Sequence, residues 1–110
     1  HVVAIRKVLG RQAVARPRFD FKSTTRSVRV FQRTAIAVED LGVSAYAGQG
    51  PRIKQQAVIK AALAIHSVEA RHAAWIRNIV GQNPSPAAFD PARDMQQVLR
   101  AVGQTGFIQS

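Results

Sequence analysis

The chain has no cysteine in 110 residues. That absence excludes a disulfide, a thiolate zinc site and a cysteine nucleophile, and it removes any reading of the redox compartment. Acidic residues are scarce, with 6 Asp and Glu against 16 Lys and Arg, for a formal charge of +10. No apolar run approaches the roughly 18–20 residues that a membrane span requires, so no span is expected, and no signal peptide is visible. The first residue is His1 and not Met, as expected of a processed product or of part of something longer.

What is present favours a packed helical fold. Apolar residues make up 46% of the chain and are spread along it, while Gly and Pro cluster at a few points. A chain of this length holds one modest core, hence a single domain. The positive charge is uneven: Arg6, Lys7, Arg11, Arg16, Arg18, Lys22, Arg26, Arg29 and Arg33 precede Glu39, with Asp20 the single acid among them. Such a surface suits nucleic acid, anionic lipid, an acidic partner or plain solvent. No recognised nucleic-acid motif accompanies the charge, so a polyanion partner ranks last at this stage.

Periodicity divides the chain. Residues 1–10 place Val2, Ile5 and Leu9 on one helical face and end at Gly10, as the last turns of a helix would. Residues 11–23 read as a loop anchored by Phe19 and Phe21. Ser23, Thr24 and Thr25 offer N-caps for a long helix over 24–47, with Val28, Phe31, Ala35, Val38, Gly42 and Tyr46 as its buried stripe. "GQGP" reverses the chain, and a second long helix over 53–80 carries Val58, Ala62, Ile65, Glu69, His72, Ile76 and Val80 on one side. The two form an antiparallel hairpin. A loop over 81–90 leads to a short helix over 91–102, started by Asp90 as N-cap and Pro91, and Phe107 and Ile108 tuck in a tail over 103–110. No strand pattern is evident.

Glu39, Glu69 and His72 stand out because they fall inside apolar stripes, where charged residues need a reason to be. Glu69 and His72 are three apart and project from one helix face, and Glu39 comes from the middle of the partner helix. Carboxylates joined by an imidazole on such a face suit iron or manganese; the alternative is an ordinary buried ion pair. A tight reversal at residues 48–51 would leave the two carboxylates about two turns apart, whereas a turn extending into "RIKQ" brings them level. His66 reads as a hydrogen-bonded surface histidine, Trp75 and Tyr46 as core residues with wet polar tips, and Asp40 and Arg71 as solvated.

At these residues the sequence resembles a known family. "AVEDLGVSAYAG" followed by "AALAIHSVEARHAAWIR" is similar to the third and fourth helices of the ferritin-like domain family, of the bacterial exported and plant desiccation-related type. "HVVAIRKVLG" and "ARPRFDF" resemble the continuation of that family's second helix. The resemblance implies an all-α fold: an antiparallel long-helix hairpin from a ferritin-like four-helix bundle, with an N-terminal helix stub and a short C-terminal helix. It further implies metal ligands Glu39, Glu69, His72 and His1, with the first helix and the start of the second lying upstream of His1. An extracytoplasmic location, periplasmic or secreted, follows from the resemblance alone.

Two functions compete at this point. One is a carboxylate and histidine di-metal site, iron or manganese, serving iron oxidation, storage or stress protection. The other is a metal-free structural or accessory subunit in which Glu69 and His72 form a buried polar network. Whether the chain is an enzyme stays open. Either way, an apolar bundle face needs a cover, from a protein partner or from a homo-oligomer.

Overall fold

In the computed structural model, which describes residues 1–109, helix α1 spans Val2–Leu9 and stops at Gly10. Gly10 has φ 53°, a backbone region open to glycine at little steric cost, and a 3-10 turn over Gly10–Gln12 follows. Helix α2 spans Val28–Gln49 and helix α3 spans Gln56–Ile79, and the two pack antiparallel along their lengths. Their junction is longer than the GQGP string: a 3-10 turn over Gly50–Arg52 is followed by extended backbone at Ile53 and again at Gln55.

Helix α2 begins later than Ser23, Thr24 and Thr25 suggested. Those residues are used in a preceding turn, where the Thr24 hydroxyl donates to the Phe21 carbonyl at 2.7 Å and the Arg26 N–H donates to the Ser23 carbonyl at 3.1 Å. Lys22 enters this turn with φ 56°, and the N-cap is Ser27, on extended backbone.

The tightest packing lies between α2 and α3, at Val43, Ser44, Ile65 and Ala73. Ser44 is 1% exposed, and its hydroxyl is satisfied by the Leu41 carbonyl at 2.9 Å. The expected stripe on α2 needs correction: Val28, Phe31 and Val38 are exposed. Helix α1 is only 8 residues long and packs on α3, with an open apolar cavity between it and Ala45, Tyr46 and Gln49 of α2, so the first half of that stripe has nothing over it among the described residues.

After α3 the chain returns along the outer groove of the hairpin as an extended strap. Its Arg93 N–H donates to the Ser44 carbonyl at 2.9 Å. At Gly48 the strap comes so close that a Cβ would sit 1.9 Å from the Arg93 carbonyl oxygen. The small side chains of Ser44, Ala70, Ala73 and Ala74 line the rest of this groove.

Helix α4 spans Met95–Thr105, four residues later than Pro91 suggested. The reason is a capping box: Asp94 Oδ1 accepts from the Gln97 N–H at 2.8 Å, and Gln97 Oε1 accepts from the Asp94 N–H at 2.9 Å. Asp90, the expected cap, instead faces His66. A two-residue strand β1, Arg18–Phe19, pairs antiparallel with β2, Ile108–Gln109, placing Phe19 opposite Ile108. Two residues per strand are too few for an alternating pattern to register in sequence.

Candidate metal centre

Three helices converge on one face of the hairpin. The longer turn brings Glu39 of α2 level with Glu69 of α3, and His72 stands one turn beyond Glu69. Ligand atoms from Glu39, Glu69 and His72 all lie within 4.8 Å of one another. His72 Nδ1 is 3.4 Å from Glu39 Oε1 and 3.4 Å from Glu69 Oε2. His1, at the start of α1, brings its Nδ1 to 3.0 Å from Glu69 Oε1. All four residues singled out in the sequence are therefore neighbours.

The carboxylates are the sheltered members of the cluster. Side-chain exposure is 24% for Glu39 and 18% for Glu69, against 52% for His72 and 44% for His1. An open cleft lined by Glu39, Arg71, His72, Trp75 and Ile76 reaches the site from outside. Trp75 corrects the core assignment, since the residue is 66% exposed at the rim of this cleft. Its position one turn after His72 was a signal for that placement.

Burial is the main cause that raises the Glu39 carboxyl to about 7, with the hydrogen bond and the negative charge of Glu69 adding to it and His72 opposing. Two carboxylates this close share a proton more readily than they share two negative charges. A cation resolves the same conflict, and strongly perturbed carboxyls in a cleft mark candidate sites for that reason. Burial and the charge of Glu69 also push the Tyr46 phenol up, which keeps it protonated.

The other titratable groups lie outside the cluster. Asp40, expected in solvent, forms an ion pair with Arg77, whose side chain is 15% exposed. His66 is half-buried; its Nε2 is 3.6 Å from Asp90 Oδ2 and lacks a hydrogen-bond partner. Arg77 drew no attention in the sequence, because a partner 37 positions away leaves no local spacing signal.

A helical hairpin with a mid-helix Glu facing a Glu-x-x-His pair supplies one half of the side-chain arrangement found in ferritin-like four-helix bundles. The chain belongs to the ferritin-like domain family, which matches residues 1–82. No curated protein and no solved structure matches it. The strap, α4 and β2 lie beyond the matched residues. Among the described residues no helix is long and apolar enough to cross a membrane.

Proposed function

We propose that Glu39, Glu69, His72 and His1 hold iron or manganese, and that the chain serves iron oxidation, storage or stress protection. The observation that carries this reading is the approach of Glu39, Glu69 and His72 ligand atoms to within 4.8 Å, with the two carboxylates sheltered. The donor set fits: carboxylate oxygens and neutral imidazole nitrogens suit a first-row divalent ion, and no thiolate competes. A bound ion would supply Lewis acidity and a one-electron couple. Glu39 and Glu69 provide the neutralising charge, His72 and His1 the flanking nitrogens, and Tyr46 a protonated phenol nearby. The opening lined by Trp75 and Arg71 leaves the imidazole side accessible from outside.

Metal analysis of natively purified protein by mass spectrometry, with intact mass recorded, tests the reading. Near-stoichiometric iron or manganese that disappears in Glu69→Ala is the expected result. Absence of metal in a protein of correct mass refutes it.

A second reading draws on a different observation. His1 and His72 each approach carboxylates at 3.0–3.4 Å, close enough for a polar network without an ion. Val28, Phe31, Val38 and Trp75 meanwhile expose apolar surface that suits a protein partner or a second copy. A metal-free accessory subunit would combine these features, and the metal analysis separates the two readings.

A further inference from the structure

A second surface, independent of any metal, lies at the β1–β2 ribbon. Phe19 and Phe21 are two apart along an extended segment, so both rings leave the same side of the chain. The rings are parallel, 3° apart in plane with centroids 5.8 Å apart, and the residues Phe19 and Phe21 are 46% and 53% exposed. Phe107 meets Phe21 edge-on at 5.5 Å and fixes the pair from beneath. Arg16, Pro17 and Arg18 complete an open cleft of about 690 Å³ around them.

Arg16 and Arg18 line this cleft, and the chain segment that carries it is rich in cations. All nine cations from Arg6 to Arg33 are exposed, and Asp20, the single acid before Glu39, is held by Lys22 Nζ at 2.8 Å and by the Lys22 N–H at 2.8 Å. Exposed parallel rings among cations are the two ingredients of a surface for unpaired nucleic acid: rings stack on base faces of any sequence, and cations track the phosphates. A duplex hides its base faces and can use only the charge.

We propose that the Phe19–Phe21 pair and the basic segment around it bind a single-stranded nucleic acid without sequence preference. Sequence alone ranked polyanions last because no known motif was present; the parallel ring pair is visible only once the ribbon has formed.

Fluorescence anisotropy with a labelled oligothymidylate and a duplex of the same length, over a series of NaCl concentrations, tests the proposal on the chain as it stands. The single strand should bind more tightly than the duplex. Phe19→Ala should weaken single-strand binding by about ten-fold with the salt slope unchanged, because one stacking face is lost. Phe19→Tyr keeps the ring and should restore binding, which guards against a folding defect. Arg16→Gln should leave stacking intact and lower the slope of log K against log salt by about 0.7. Equal affinity for strand and duplex, with Phe19→Ala inert, would reduce the surface to bare charge and overturn the proposal. Binding to phosphatidylserine vesicles without strand binding would overturn it in favour of a membrane surface, and no binding to either would overturn it outright.

Discussion

Replacing Glu39 by glutamine should stabilise the metal-free protein, and only at the pH where the carboxylate is charged. The Glu39 carboxyl is raised from its ordinary 4.5 to about 7, chiefly by burial and by Glu69. Below the lower value the group is protonated both folded and unfolded, and no penalty exists. As pH rises through the window from 4.5 to about 7, the unfolded chain gives up its proton first, so stability falls; above the window the loss is complete. At about 1.4 kcal/mol per pH unit the shift implies ~3 kcal/mol. Solvent screening of a side chain that is 24% exposed reduces this to about 1–2 kcal/mol. Urea unfolding of chelator-treated protein at pH 4 and pH 8 provides the assay. Glu39→Gln should match the parent at pH 4 and exceed it by about 1–2 kcal/mol at pH 8. An equal effect at both pH values, or a loss at pH 8, would refute the idea that the clustered carboxylates burden the apo fold. Adding manganese at pH 8 should then stabilise the parent and leave the variant unmoved, because a ligand that binds only the folded state shifts the equilibrium in its favour.

Three further outcomes are expected. Gly48→Ala should lift the strap, since its Cβ would meet the Arg93 carbonyl oxygen at 1.9 Å; the cost should be about 1–3 kcal/mol in a thermal melt, with faster proteolysis between residues 81 and 94. Asp94→Ala removes the carboxylate that accepts from the Gln97 N–H and should cost about 1 kcal/mol, read from urea unfolding followed by circular dichroism. Glu69→Ala should lose bound iron or manganese, because Glu69 is the residue that both His1 and His72 address.

The hairpin was legible because its signals are local. Period-3.6 apolar spacing, the Gly10 stop and the GQGP break each act within a few residues, and the charged intruders Glu39, Glu69 and His72 were visible against that pattern. Register followed from arithmetic once the turn was allowed to run into RIKQ, and the observed junction before Gln56 has that extra length. Caps were harder to read. Asp90 and Asp94 are equally good N-cap types, and what separates them is Gln97 three residues after Asp94 together with His66 opposite Asp90. The strap was illegible for a different reason: its grip on Gly48 and Ser44 is a backbone contact between distant segments, which no side-chain periodicity reports. Val28, Phe31 and Val38 show that an apolar stripe states which face can be covered, and not that it is.

The ribbon that joins Phe19 to Ile108 also orders events in time. During synthesis, the segment around Phe19 leaves the ribosome well before either long helix, and its pairing partner emerges only after the hairpin, the strap and α4 have been made. Phe107, which fixes the aromatic pair, arrives equally late. The hairpin and its carboxylates can therefore assemble while the ribbon is still open, and the basic aromatic surface comes into being as one of the last acts of folding. Cleavage anywhere in the strap would undo that late step without touching the residues that hold Glu39 and Glu69 together, so the two surfaces can be lost separately.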